Sequence, residues 1–448
     1  MIVPEYFSRF RLRVRACAHA LAFAVIAPPL FAEAPAQEDW SIHAQATYVY
    51  QSKDAFPARY SGPNSLRPEH ERSYTFSTTL YLGVRPWSGG ELYIDPEAVQ
   101  GLALSRVTGL GGFTNGEIQK AAGPNLTAYR ARAFLRQTFE LGGEREQVEA
   151  DANQLAGSVS ANRFVLTLGN IATTDLFGSL TYAGDPRTQF LNWSFLTYGA
   201  YDYAADLRGY TWGIAGEYYR GDWTLRAGRF LQPRQSNGRR LNQHFLESYG
   251  DQIEVERKHE LDGQPGKLQV LLYRNVASMA KFSEALALAQ ATGTTPDITA
   301  VRRSQSKLGV GLGAEQALAD DVGLFARASM HDGRTETFAF TEIDRSISAG
   351  AVIRGDRWHR AADTFSVGLV QNGISKPHRD YLAAGGTTFF LGDGALSYRP
   401  ERIVEAYYSV GVVKGVSVTL DYQHIANPGY NADRGPVNVG SLRLHAEF

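Results

Sequence analysis

From residue 41 to its last residue the chain repeats one pattern, in which apolar and polar side chains alternate strictly over segments about ten residues long. Ile42, Ala44, Ala46, Tyr48 and Tyr50 alternate with Ser41, His43, Gln45 and Thr47. Tyr74, Phe76, Thr78, Leu80, Leu82 and Val84 alternate with Ser73, Thr75, Ser77 and Thr79. The final segment sets Leu442, Leu444, Ala446 and Phe448 against Ser441, Arg443, His445 and Glu447. Period two describes a β-strand with one apolar and one polar face. Ten residues is the length a tilted strand needs to cross a bilayer. After residue 36 no apolar run of about 18 residues occurs, so no helix is expected to span a membrane. In hydrocarbon every backbone polar group must be bonded internally, which leaves a closed barrel. Phe448, an aromatic in the apolar phase, then belongs to a strand that pairs with the first and leaves no open edge.

The connections agree with this reading. Arg220-Gly221-Asp222, Asp320-Asp321 and Lys414-Gly415 make short turns between paired segments. Longer irregular stretches cover 52–71, 277–301, 374–400 and 425–436, and Phe282–Gln290 within one of them has helical periodicity. Short turns alternating with long loops predict a transmembrane antiparallel up-and-down β-barrel of about 16 strands, turns on the periplasmic side and loops outside. Segments 91–98 and 195–203 are its least regular candidate strands. The 23 Tyr and 23 Phe suit a barrel with aromatic girdles, and the net charge of −1 excludes a nucleic-acid binder. Residues 1–36 differ from the rest, with Arg9, Arg11, Arg13 and Arg15 ahead of an apolar stretch and a small-residue site at Ala34-Pro35-Ala36. They read as a cleaved secretory leader, with a single barrel domain at 37–448 and an outer-membrane destination. The one cysteine, Cys17, lies inside that leader, so neither a disulfide nor a thiolate metal site is expected.

Charge placed in the polar phase points to a lumen. Arg130, Arg132 and Arg136 are expected to share one face of strand 127–138 with Phe134. Near the bilayer midplane each would cost about 2–4 kcal/mol in lipid. Gln252, Glu254, Glu256 and Lys258 make a second charged face on strand 249–258. Guanidinium donors on one wall and carboxylate acceptors on another would orient the hydrogen-bonding groups of a solute; equally, they would form charge networks that only stiffen the barrel. Gly309-Val310-Gly311-Leu312-Gly313 lies in an alternating segment with no helix after it, so it reads as small residues relieving crowding, not as a nucleotide loop. No Walker, HExxH or GxSxG sequence occurs.

In order along the chain, SIHAQATYVYQ (41–51), YSGPNSL (60–66), GGELYIDPEAVQGLALS (89–105), YRARAFLRQTF (129–139), DANQLAG (151–157), DPRTQFLNW (185–193), GAYDYAADLRGYTWG (199–213), GRFLQP (228–233), YGDQIEVE (249–256) and PGYNADRGPV (428–437) resemble the carbohydrate-selective porin family of the OprB type. The resemblance implies a 16-stranded outer-membrane barrel passing sugars such as glucose by diffusion, with no enzymatic activity and no cofactor. It places Asp185, Arg187, Gln189 and Asn192 near the pore on an inward-folded loop, where Asp185 and Arg187 either face sugar or pair with each other. Asp202 and Arg208 belong to a second matching block. Trp193 and Trp212 either stack on sugar rings or anchor at the lipid interface, the latter being the commoner role of a barrel tryptophan. The stretch Asp175–Leu180 is more apolar than the resemblance implies. Expected partners are sugars, outer-membrane lipid and the barrel-assembly machinery, which would read the Phe448 terminus; self-association is left open. A general diffusion porin, a polysaccharide exporter and a barrel enzyme are the competing readings.

Overall fold

The computed structural model describes residues 37–117, 123–340 and 342–448; the expected leader, 1–36, lies outside the described residues. Sixteen antiparallel strands close into one barrel in which every strand pairs with its sequence neighbours. They are β1 (Trp40–Lys53), β2 (Glu71–Trp87), β3 (Gly90–Leu102), β4 (Thr127–Val148), β5 (Gly157–Ile171), β6 (Thr211–Arg220), β7 (Trp223–Leu231) and β8 (Tyr249–Leu261). The second half comprises β9 (Gln264–Met279), β10 (Arg303–Ala319), β11 (Val322–His331), β12 (Arg345–Arg354), β13 (Thr364–Gly373), β14 (Glu401–Val413), β15 (Val416–Ala426) and β16 (Val437–Glu447). Segment 91–98 falls within β3, whereas 195–203 is not a strand but part of the loop between β5 and β6.

The period-two pattern sorts the two faces of the wall. Ile347, Leu369, Leu420 and Leu312 are exposed on the outside, while Ser348, Val370, Thr419 and Asp421, next to the first three, are buried inside. On the outside an exposed leucine meets hydrocarbon, so apolar surface there satisfies the bilayer. Closure comes from β1 and β16, with Tyr48 opposite Leu444 and Tyr50 opposite Leu442. The last residue completes it: the Phe448 amide donates to the Ala44 carbonyl at 2.9 Å, and the Ala44 amide donates to the Phe448 carbonyl at 3.0 Å. The Phe448 ring is exposed on the lipid-facing side, in phase with Leu442 and Leu444.

Connections at one end are mostly tight, as at 221–222, 262–263, 320–321 and 414–415; those at the other end are long. One long loop carries helix α1 (Phe282–Thr292) over the segment whose periodicity predicts it, and another carries helix α2 (Lys376–Ala383). A tight-end connection departs from the rest. Strand β4 loses register at Glu140/Gly142 and again at Gly142/Arg145, where Gly142 and Gly143 take φ of 95° and 94°. Left-handed backbone of this kind favours glycine and bends the strand.

Candidate functional site

The interior is occupied by the loop 172–210, which is held by charged and polar side chains that successive strands present inward. Glu405 on β14 accepts from the Leu191 and Asn192 amides, at 2.5 and 3.0 Å. Arg443 on β16 donates to the carbonyls of Pro186 and Gln189 at 2.9 and 2.6 Å. From β11, Arg327 donates to the carbonyls of Phe195, Ala183 and Gly178 at 2.7, 2.7 and 3.1 Å. Glu315 on β10 accepts from both the amide and the hydroxyl of Thr181. Each anchor occupies the polar phase of its strand. Together they satisfy loop backbone that would otherwise be buried unbonded.

Aromatic side chains fill the space between loop and wall. Phe190 stacks on Phe195 with centroids 4.5 Å apart and meets Phe325 and Tyr407 edge-on. Glycines on the wall make room for them. A Cβ at Gly311 would lie 2.8 Å from the Tyr198 ring, and one at Gly309 would lie 2.3 Å from the Tyr273 ring. The glycine run 309–313 thus makes room for Tyr198 of the loop and for Tyr273 of the neighbouring strand. The apolar stretch 175–180 has the same explanation, with Phe177 and Leu180 buried in this packing. Residues 103–117 fold inward too, the Gly111 and Gly112 amides donating to Glu401.

The wall of β2 to β4 is treated differently, because its inward side chains pair with one another and keep part of their surface. Four guanidinium groups and five carboxylates form a chain along it. Arg85 and Arg136 meet Glu91 at 3.0 and 3.6 Å. Arg132 meets Asp95 at 3.4 Å and Asp175 at 2.7 Å. Arg187, reaching across from the loop, meets Glu97 and Glu117 at 3.0 Å each and donates to the Tyr81 hydroxyl at 2.7 Å. Glu91 to Glu97 spans six residues of β3, about 20 Å along the strand. Tyr93, Tyr129 and Tyr210 lie among these pairs, with the Arg136 guanidinium 5.3 Å from the Tyr93 centroid and that of Arg132 5.2 Å from that of Tyr210. The side chains of Arg132 and Arg136 are 15% and 24% exposed, against 0% for Arg443 on β16.

The tight-end connection 149–156 folds back onto this chain. Asn153 donates to Asp95 at 2.9 Å, Arg136 donates to the Asn153 carbonyl at 2.9 Å, and the Leu155 amide donates to the Tyr93 hydroxyl at 3.1 Å. Asp95 Oδ1 and Asn153 Oδ1 are buried and have no hydrogen-bond partner among the described residues.

Several residues stand elsewhere than the alternation predicts. The three arginines of β4 do not share a face. A bulge at Ala131 sets Arg132 opposite Asp95 but Arg130 opposite Pro96, so Arg130 turns outward and its guanidinium lies 5.2 Å from the Trp212 centroid. Arg130 is three residues from the loop end of β4, where a lipid-side arginine costs only about 0–1 kcal/mol. Glu254 and Glu256 do face inward, but Arg226 clamps both, at 3.0 and 3.1 Å, and Glu254 also accepts the Gly178 amide. Asp185 accepts the Arg187 backbone amide and the Thr188 hydroxyl but not the Arg187 guanidinium, which is spent on Glu97 and Glu117. Gln189 bonds within its own loop, to the Asp185 amide and the Thr181 carbonyl.

Asn192 joins the two inward loops, donating to the Gly112 carbonyl and to Gln423. Trp193 is neither an interface anchor nor exposed to the chain of ion pairs, but is buried against Phe340 with centroids 5.1 Å apart. Trp212, on the outside, is where an interface anchor belongs. Asp202 forms a buried pair with Lys307 at 2.8 Å and accepts the Phe338 and Ala339 amides. Burial pushes the Asp202 carboxyl up, but Lys307 and those amides outweigh it and hold it below its usual range. Arg208 stacks over the Tyr129 ring at 4.0 Å. Arg85, Glu91, Asp95, Glu97 and Glu117 were missed from the sequence. The first four stand in the inward phase of β2 and β3, where their alternation was the available clue.

The family model described as "Carbohydrate-selective porin, OprB family" matches residues 63–448. Among solved structures, the high-pH structure of Pseudomonas putida OprB is similar with a TM-score of 0.70 at 16% identity, over 92% of this chain and 94% of that one. The low-pH structure of the same protein has a TM-score of 0.48 at 11% identity, covering 92% and 93%. Pseudomonas aeruginosa OccK8 (OprE) has 0.46 at 9% identity, covering 93% and 99%. No curated protein sequence matches the chain.

Proposed function

Because the chain belongs to the OprB family of carbohydrate-selective porins, and is a non-enzymatic sugar-passing channel of the outer membrane, we propose that sugars cross along the ion-paired wall of β2 to β4. One observation carries this reading: arginine–carboxylate pairs whose arginine side chains keep 12–24% of their surface, with tyrosines between them, run about 20 Å along the inside of that wall. A pair of this kind offers donors and acceptors side by side, as a ring of hydroxyls requires. The charges nearly cancel, so the wall favours a neutral polyol over an ion of either sign. Tyrosine faces give the C–H side of a pyranose somewhere to slide. No single contact is strong, which conduction requires.

Arg132, Arg136 and Arg187 are the sugar-contacting candidates that this arrangement supports. Asp185, Gln189, Asn192, Trp193, Asp202, Glu254 and Glu256 hold the loop that faces them. Monosaccharides such as glucose are the proposed cargo. Residues 1–36 would direct export, and the barrel-assembly machinery would read the Phe448 strand.

The test is liposome swelling with purified refolded protein, comparing glucose with a neutral amino acid of similar size. Glucose should enter faster, and Arg132→Gln with Arg187→Gln should reduce that preference while leaving the heat-modifiable barrel intact. Equal rates in the native protein would make it a general diffusion porin. A preference unchanged in the variant would remove the ion-paired wall as its cause.

A further inference from the structure

At the loop end of β4 to β7, bordering the sugar path at Tyr210, an open cleft of ≈ 410 Å³ is lined by Arg130, Arg208, Arg234, Arg239, Arg240 and Trp212. Among the described residues none of these five arginines makes an ion pair; nearby Arg229 is the one that takes Asp251. Among the described residues Asp206 is the carboxylate lining the cleft, and its Oδ1 accepts the backbone amides of Arg208 and Tyr210. Five guanidinium groups against one carboxylate leave the cleft strongly positive. The charges come from three separate stretches of chain: β4, the loop before β6, and the loop after β7.

Position narrows the anion. Arg130 lies on the outward face, with its guanidinium 5.2 Å from the Trp212 centroid, and Trp212 is 44% exposed on the lipid-facing side. An outward tryptophan at the loop end of a porin strand marks the interface of the outer leaflet. Leu231 and Leu241 give the cleft an apolar border beside the charged one. A ligand that fits is amphipathic, with an anionic head at the height of Trp212 and chains running down the barrel wall. Guanidinium forks match phosphate oxygens bidentately, and arginine serves that contact better than lysine. We propose that this cleft binds a phosphoryl group of an outer-leaflet glycolipid.

The test uses full-length refolded protein and two probes, a bis-phosphorylated acylated disaccharide and its dephosphorylated form. Native mass spectrometry after detergent exchange counts the bound glycolipid. The native protein should retain the phosphorylated form and not the other. The Arg239→Gln/Arg240→Gln variant, changed only in an exposed loop, should bind it about tenfold more weakly, as expected for loss of charge-assisted contacts. Its glucose swelling rate should stay that of the native protein, which separates this site from the sugar path. A third probe, glucose 6-phosphate, distinguishes the source: competition by it at equal concentration would overturn the lipid assignment in favour of a soluble sugar phosphate. Equal retention of both glycolipids, or equal binding by native protein and variant, would overturn the proposal. Arg234→Gln provides an independent check should the double variant refold poorly.

Discussion

Replacing Arg327 by methionine should release the interior loop without opening the barrel. Its guanidinium, 3% exposed, donates to three loop carbonyls, those of Phe195, Ala183 and Gly178. Hydrogen bonds from a charged group contribute about 1.5–3 kcal/mol each, but desolvating the buried charge offsets much of the sum. Removing one partner of such a buried polar set costs about 3–5 kcal/mol, because the groups left behind stay buried and unbonded. That penalty falls on the loop, since the backbone pairs of β11 with β10 and β12 do not involve the side chain. A shift of about 4 kcal/mol multiplies the population of loop-released molecules by roughly a thousand. Hydrogen exchange of amides 178–196 should therefore accelerate strongly, while strand amides keep their protection. Planar-bilayer conductance should rise and become noisier, and the preference for glucose over a size-matched amino acid should shrink. Arg327→Lys, which keeps the charge but loses the fork, should fall between. If exchange at 178–196 and conductance both match the native protein, the loop is held by packing alone and the polar anchors do not set the channel's width.

Three further perturbations probe other parts of the fold. Phe448→Ala keeps the two backbone bonds to Ala44 but removes the exposed ring; the variant should refold in detergent yet reach the cell surface at reduced level, as heat-modifiable mobility and surface labelling would show. Gly311→Leu drives a side chain into the Tyr198 ring, where even a Cβ would lie 2.8 Å away; thermal unfolding should drop by about 1–3 kcal/mol of overpacking strain, and a wild-type melting curve would refute the tight fit. In the loop cap, burial pulls the His378 imidazole down, but Asp344 at 3.2 Å and Glu342 at 3.4 Å outweigh it and raise it to about 9. A raised histidine stabilises the cap fully below pH 6.5, and the contribution, about 3 kcal/mol, is lost as pH rises through 9. Proteolysis within 374–400 should accelerate between pH 6.5 and 9.5, and His378→Gln should abolish that dependence.

Strand alternation makes the wall of this protein legible, because one face must satisfy lipid and the other must not. That rule places Glu254, Glu256, Arg132 and Arg136 inside, and it puts Phe448 on the lipid side of the closing strand. It fails at Arg130, where one extra residue, Ala131, reverses the phase for everything before it. A bulge leaves no mark in an alternating pattern short enough to be read in either phase. The interior was harder to read for a different reason. Whether Glu405 or Arg443 faces water or a loop depends on contacts with partners more than two hundred residues away, such as Leu191 and Pro186. Segment 195–203 looks like a strand because it is aromatic and apolar, yet those rings serve the inside of a plug.

The same contrast explains why the charges on the two walls act differently although the residue types are alike. Lone charges facing the loop, such as Arg327, Arg443 and Glu405, are matched to backbone carbonyls and amides, and these groups cannot move without unmaking the loop. On β3 and β4 the charges are matched to each other, side chain to side chain, as Arg132 is to Asp95 and Asp175. A side-chain pair that keeps part of its surface can lend a donor or acceptor to a passing hydroxyl while the backbone stays in place. A backbone-bound charge cannot. Selectivity for a neutral, hydroxylated solute therefore belongs on the wall where the charges answer one another, and rigidity belongs on the wall where they answer the loop.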